Sequence, residues 1–261
     1  MSRPPVIVTN DDGIGSEGLW HLAAAAAQAG FEVVVAAPAQ EASGTGSAMK
    51  SVRAGGQAEI TRHQLPAPAA GIPAFAVQAT PAFIVFAAVR GAFGPAPKYV
   101  LAGINRGPNT GRAVLHSGTV GAAMTAAGYG LTSAAFSLDI RQDSGPSHWL
   151  TAAHVAKQIL PVLPDAGDAV VLNVNVPNLP AQQLGGIRRA HLASFGAVQT
   201  TMDTATEGFL QINVTDRLSE PEPGTDLAAL AAGYASLTPL RAVCELPADG
   251  LPWQVYRAAA G

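Results

Sequence analysis

Residues 5–16 read Pro5-Val6-Ile7-Val8-Thr9-Asn10-Asp11-Asp12-Gly13-Ile14-Gly15-Ser16, and the class of the fold follows from them. Val6-Ile7-Val8 is a β-branched run too short for a helix, so it reads as a buried strand. Ser16 then stands as an N-cap. Glu17 falls in the first turn of a helix predicted to run to Ala29 and stop at Gly30. A strand apolar on both faces and followed at once by a helix opens a parallel α/β sheet.

The same alternation continues outward. Phe31 to Ala36 and the weaker Ala74 to Val77 read as strands, and Thr80-Pro81 opens a helix to about Arg90 with Pro at its first position. Tyr99 to Ala102 is a strand, Ser117 caps a helix to Ala127, and Ala134 to Leu138 is a strand. A helix from His148 to Leu160, capped by Ser147, precedes a strand from Val170 to Val176 that ends at Pro177. Beyond Pro177 the rhythm changes. Arg188 to Leu192 and Phe209 to Asp216 read as extended or hairpin segments, Thr225 to Tyr234 as a short helix and Ala235 to Leu240 as extended chain. The expected division is a core over 1–180 and a C-terminal hairpin or arm over 181–261 that packs on a partner subunit.

Composition narrows the function classes. Of 261 residues, 48% are hydrophobic and 13% charged, enough to build a large core. The net charge is -3, and Lys50, Lys98 and Lys157 are the only lysines, so neither a nucleic-acid wrapper nor a basic membrane-surface protein is expected. Cys244 is the single cysteine, which excludes an intrachain disulfide and a thiolate zinc cluster. The opening apolar run is too short for a signal region, and no run approaches the ~20 residues of a membrane span. A cytoplasmic protein is the expectation.

In a parallel sheet, ligands bind outside the carboxyl ends of the strands. Three polar loops fall there: Thr9 to Gly13, Pro38 to Ser47, and Gly103-Ile104-Asn105-Arg106-Gly107-Pro108-Asn109. They offer carboxylates, hydroxyls and amides, which are hard oxygen donors suited to Mg²⁺, Mn²⁺ or Ca²⁺. Adjacent Asp11 and Asp12 repel each other, and a cation between them removes that repulsion. Gly13-Ile14-Gly15-Ser16-Glu17-Gly18 matches the dinucleotide-binding pattern. The reading is rejected, because the two aspartates would repel a pyrophosphate and no acid ends the second strand. The small, hydroxyl-bearing start Ser117-Gly118-Thr119 is a natural phosphate cradle, with free N–H groups and a positive dipole end. No serine-nucleophile elbow, P-loop or helical zinc-histidine pair is present.

Taken in order, these segments resemble the survival protein SurE family. The resemblance rests on Thr9 to Ile14, Ala37-Pro38 with Ser43-Gly44-Thr45-Gly46, Gly103 to Asn109 and Ser117 to Met124. Asn173-Val174-Asn175-Val176-Pro177, Gly224-Thr225-Asp226 and Gly233 to Leu240 extend it across nearly the whole chain. It implies a Rossmann-like, predominantly parallel sheet with helices on both faces, and a C-terminal extension reaching across a homodimer or homotetramer. It further implies a phosphatase holding one divalent ion per subunit, acting on nucleoside monophosphates chiefly as a 5'-nucleotidase. Some members also accept 3'-nucleotides or short polyphosphate. By position the metal ligands would be Asp11, Asp12, Ser43 and Asn105, with Asp11 or Asp12 as the catalytic base. Asn109, Ser117, Gly118 and Thr119 would face the phosphate. Three departures from the family pattern stand at Ser47, Phe83 and Arg112, leaving open a shift toward another small phosphorylated metabolite. The rival readings are a dinucleotide-binding oxidoreductase and a non-catalytic metal-binding protein.

Overall fold

The structure is a computed structural model that describes residues 3–51, 57–141, 145–196, 198–203, 211–216 and 220–245. In chain order its elements are β1 (Pro5–Thr9), α1 (Glu17–Gln28), β2 (Glu32–Pro38), β3 (Ile60–His63), β4 (Ala74–Val77), α2 (Pro81–Val89) and β5 (Tyr99–Arg106). There follow a 3-10 turn (Gly111–His116), α3 (Gly118–Gly128), β6 (Thr132–Asp139), α4 (Trp149–Ile159), β7 (Val170–Pro177) and β8 (Ile187–Arg189). The last are β9 (Val198–Asp203), β10 (Gln211–Asp216), α5 (Asp226–Ala231) and β11 (Ala235–Arg241).

β1 to β8 and β11 form one sheet in the order β3-β4-β2-β1-β5-β6-β7-β11-β8, and β9 and β10 pair separately as an antiparallel ribbon. The sheet is parallel except where β3 joins β4 and β11 joins β7. Side chains alternate across it. Val6 and Val8 enter a core with Leu19, Leu22 and Val155 from α1 and α4. Ile7 enters the opposite core with Ile84 and Val120 from α2 and α3. β1 is therefore covered on both faces, which is why its sequence is apolar without a break.

Several local expectations need correction. Ser147 does not cap α4: His148 occupies the cap position, and no side chain bonds the helix there. Thr80 sits at the cap of α2, but its hydroxyl donates to the Ala48 carbonyl and accepts from the Lys50 N–H at 3.1 Å, tying the 48–50 loop to the helix start. β3 escapes sequence reading because all four of its residues are exposed, which leaves no apolar alternation. After residue 177 the sheet does not stop. β11 lies antiparallel to β7 with Leu237 opposite Val174, and β8 follows beyond it, so strands on both sides of position 180 share one sheet. Of the predicted Phe209 to Asp216 segment, the first two residues lie outside the described residues. Trp149 is core, Trp20 is half-buried with its indole N–H on the Ile14 carbonyl at 3.0 Å, and Trp253 and Tyr256 lie outside the described residues.

β5 runs four residues past its predicted end. A bulge lies between Ala102 and Asn105, where three steps on β5 match two on β6. Gly103 makes the bulge feasible: its φ is +122°, and a Cβ there would stand 2.2 Å from the Phe136 carbonyl oxygen. The shift sends Ile104 into the core of α1 and α4 and sets Asn105 opposite Ser137.

Gly18 is the contact that seats α1 on the sheet, since a Cβ there would lie 2.0 Å from the Ile104 carbonyl oxygen. Gly15 has no atom within 4 Å of that position. Gly18→Ala should lose about 1–3 kcal/mol in urea unfolding, and Gly15→Ala should stay within ~0.5 kcal/mol of wild type. Equal midpoints for the two variants would refute this packing.

Candidate functional site

The carboxyl ends of β1, β2 and β5 bring their loops to one edge of the sheet, and hydrogen bonds lace them together. The Ile14 N–H donates to the Pro38 carbonyl at 2.8 Å, and the Ala42 N–H to the Asp11 carbonyl at 2.7 Å. The Arg106 N–H donates to Asp12 Oδ2 at 3.0 Å. Asp11 and Asp12 on the turn after β1, Ser43 on the loop after β2 and Asn105 near the end of β5 thus stand on segments bonded to one another through residues 11–14.

Asp11 is 4% exposed. Burial raises its carboxyl above the usual range. Hydrogen bonds from the Thr119 hydroxyl and from the Thr119 and Gly118 backbone N–H groups pull the other way. The first turn of α3 therefore caps this carboxylate with donors and with its positive dipole end. A Cβ on Gly118 would lie 2.7 Å from Asp11 Oδ2, so only glycine admits the carboxylate there. Ser117 closes the helix start by accepting from the Val120 N–H at 3.0 Å.

Asp12 is half-buried, and its carboxyl is pushed up to about 6. Desolvation is the main cause, and the charges of Asp11 and Glu41 add to it. The Arg106 N–H and the Arg106 charge oppose the shift. Asn10 is fully buried; its amide nitrogen donates to the Gly13 carbonyl at 3.0 Å, while its Oδ1 has no partner among the described residues. Ser43 is exposed, with its hydroxyl donating to Glu41 Oε1 at 2.8 Å. Asn105 donates from Nδ2 to the Gly107 carbonyl at 2.8 Å, leaving its oxygen as the free end of the amide.

This donor set fits a hard divalent cation. Two desolvated carboxylates stand side by side, and neither forms an ion pair among the described residues. The Asn105 amide oxygen and the Ser43 hydroxyl are the neutral oxygen donors that the neighbouring segments offer. No group of three His, Cys, Asp or Glu side chains is placed to hold a metal among the described residues. Asp11 and Asp12 with neutral oxygens are therefore the candidate ligands of this edge, while Glu41 is engaged by the Ser43 hydroxyl.

Asn109 sits beside this set on the loop after β5. Its Nδ2 donates to Ser137 Oγ at 2.9 Å, and its backbone is held by Asn173 and Asn175 of β7. Two residues further on, the Gly111 N–H donates to Asp226 Oδ2 at 2.8 Å. Asp226 is fully buried and also accepts from the N–H groups of Ala193 and Leu227. Gly111 is wedged so closely that a Cβ would meet the Phe195 carbonyl oxygen at 2.1 Å. The sequence contains Asn173, Asn175 and Asp226 in quoted motifs, but nothing in it shows that they grip the 109–111 loop. Their signal is buried polarity at inward strand positions and at a helix start. His116 is exposed, Ser47 donates to the Gly121 carbonyl at 3.3 Å, Phe83 packs near Phe86, and Arg112 is exposed.

The family model described as survival protein SurE matches residues 6–199. The chain is 36% identical over 241 residues to the 5'-nucleotidase SurE of Aeromonas hydrophila, covering 90% of this chain and 91% of that protein. It is 34% identical to the 5'/3'-nucleotidase SurE of Edwardsiella ictaluri, over 90% of this chain and 89% of that one. The crystal structure of the SurE protein from Aquifex aeolicus superposes with a TM-score of 0.74 at 29% identity, over 98% of each chain.

The Asp12 shift fixes a sign. Folding raises this carboxyl from 3.8 to about 6. The folded chain thus holds the proton more tightly, and the resulting loss of stability is absent below 3.8 and complete above about 6. In EDTA, Asp12→Asn should match wild type near pH 4 and gain on it in melting temperature as pH rises to 7. A difference that is flat with pH, or that shrinks, would contradict the desolvation of this side chain.

Proposed function

The chain belongs to the survival protein SurE family, and on that premise we propose that it hydrolyses nucleoside monophosphates to nucleoside and phosphate. It is a phosphoric monoester hydrolase of the nucleotidase kind, acting chiefly on 5'-nucleotides, with 3'-nucleotides and short polyphosphate as further substrates. The observation that carries this reading is the pair of desolvated, unpaired carboxylates at the end of β1, set against the first turn of a helix.

A divalent ion, Mg²⁺ or Mn²⁺ with Ca²⁺ able to occupy the same place, would be held by Asp11, Asp12, Ser43 and Asn105. When bound, it supplies Lewis-acid polarisation of a phosphoryl oxygen and a lowered water pKa. The protein's own groups do the rest. Asp11 already accepts a hydroxyl and two backbone N–H groups, so it serves as a fixed anion. Asp12 accepts one N–H and keeps lone pairs on its other oxygen, which makes it the better base for the attacking water. The Asn109 amide would donate to a phosphoryl oxygen, and the Ser117-Gly118-Thr119 turn, whose Gly118 and Thr119 N–H groups are given to Asp11, would favour the developing charge through its positive dipole end. Because that turn also bonds Asp11, phosphate and carboxylate share its field.

No helix of the described residues is long and apolar enough to cross a membrane. We place the protein in the cytoplasm, as a homodimer or homotetramer in which residues 181–261 reach a partner, with no nucleic acid or membrane involved. The β9–β10 ribbon, which pairs with itself and not with the sheet among the described residues, supports such a role.

The test is phosphate release from a panel of nucleotides and other phosphate esters with Mg²⁺ or Mn²⁺. Wild type should be active with metal and silent in EDTA. Asp11→Asn should lose about 10²–10³-fold in kcat/KM. Asp11→Asn with wild-type turnover, or a metal-loaded wild type that releases no phosphate, would refute the reading.

A further inference from the structure

β7 carries Val171, Asn173 and Asn175 toward the α2 and α3 side of the sheet, while Leu172, Val174 and Val176 enter the other core. Both asparagines are fully buried in a central strand, where valine or isoleucine would pack without desolvating an amide. Their amides go to a single residue. Asn175 Oδ1 accepts from the Asn109 N–H at 2.7 Å, and Asn175 Nδ2 donates to the Asn109 carbonyl at 3.0 Å. Asn173 Nδ2 donates to the same carbonyl at 2.9 Å. The Asn175 amide thus pairs with both backbone groups of Asn109, as a neighbouring strand would. Ser137, opposite Asn175 on β6, then receives the Asn109 side chain.

From this arrangement we propose that Asn175, with Asn173 in support, is a positioning residue of the phosphate site: it fixes the Asn109 backbone, so that the Asn109 amide presents its remaining N–H to a phosphoryl oxygen. The proposal rests on the reading of Asn109 as a phosphate contact. The grip is rigid for three reasons. Three hydrogen bonds hold one residue's peptide groups, all donors and acceptors on the β7 side are buried, and a fourth bond fixes the side chain. In catalysis such a device lowers the reorganisation needed when charge builds on the phosphoryl group. It also explains why a loop free of regular structure can bear a binding residue. Asp11 is held by the first turn of α3, Asp12 by the Arg106 N–H and Ser43 by Glu41, away from β7; Asn105 meets the same loop one step earlier, at the Gly107 carbonyl.

The experiment is calorimetric titration of the Mn²⁺-loaded protein with inorganic phosphate, beside kcat/KM on a nucleoside monophosphate and a Mn²⁺ titration of the metal-free chain. Asn175→Ala should weaken phosphate binding and kcat/KM together, by about 10- to 100-fold. Asn173→Ala, which leaves the Asn109 carbonyl one donor, should weaken both by only a few fold. Mn²⁺ affinity should be unchanged in both variants. In an Asn109→Ala background, Asn175→Ala should change phosphate affinity no further. An Asn175→Ala protein that melts earlier but binds phosphate as wild type does would overturn the proposal, as would losses that simply add in the double variant. The two readings fail separately. A wild type that binds phosphate but hydrolyses no nucleotide refutes the enzymatic reading alone, and an active enzyme whose Asn175→Ala variant binds phosphate as wild type does refutes the positioning role alone.

Discussion

The end of β1 is the constraint from which the site is built. A buried strand delivers Asp11 to a place with little water, and a carboxylate there is costly unless donors or a cation meet it. The first turn of α3 supplies the donors, with the Thr119 hydroxyl and two backbone N–H groups aimed at one carboxylate. Gly118 must be small to let them approach. Asp12 follows in sequence without the same support and meets repulsion from Asp11 and Glu41. One acid is therefore satisfied by the protein and the other is left needing a partner. That asymmetry separates an anchored ligand from a group free to take a proton.

Much of the architecture is legible in the sequence because burial writes itself into residue type. Val6-Ile7-Val8, Val33-Val34-Val35 and Val170 to Val176 are strands covered on both faces, and Ser16 and Ser117 cap the helices that follow by accepting a backbone N–H. The misses have equally physical origins. β3 is exposed along its length and has no pattern to read. Ser147 has a capping side chain, but the cap position falls one residue further on, at His148. The extra length of β5 depends on a bulge that Gly103 permits, and a glycine does not announce a bulge.

The site divides in the same way. Asp11 and Asp12 follow from polarity placed just after an apolar strand, whereas Ser43 and Asn105 enter through the family resemblance. What holds the loops in place follows from neither. The Asp226 carboxylate reaches Gly111 across 115 positions of chain, and Asn175 reaches Asn109 across 66. Neither pairing leaves a periodic trace, because each is a single contact set by how β7, β11 and α5 return to the sheet. Buried polar residues at such returns are the general clue: Asn173, Asn175 and Asp226 are each fully enclosed, and each bonds backbone rather than solvent.

The clasp between Gly111 and Asp226 also bears on how such chains diverge. One side of it requires the absence of a side chain against Phe195, and the other requires a carboxylate that meets three N–H groups at once. Without Gly111 the carboxylate keeps two of its three donors, and without the carboxylate the Gly111 N–H loses its partner. The segment before α3 and the segment opening α5 are thus bound to drift in concert, and recombination that grafted a foreign tail at residue 180 would inherit a mismatched lock unless both ends were exchanged together.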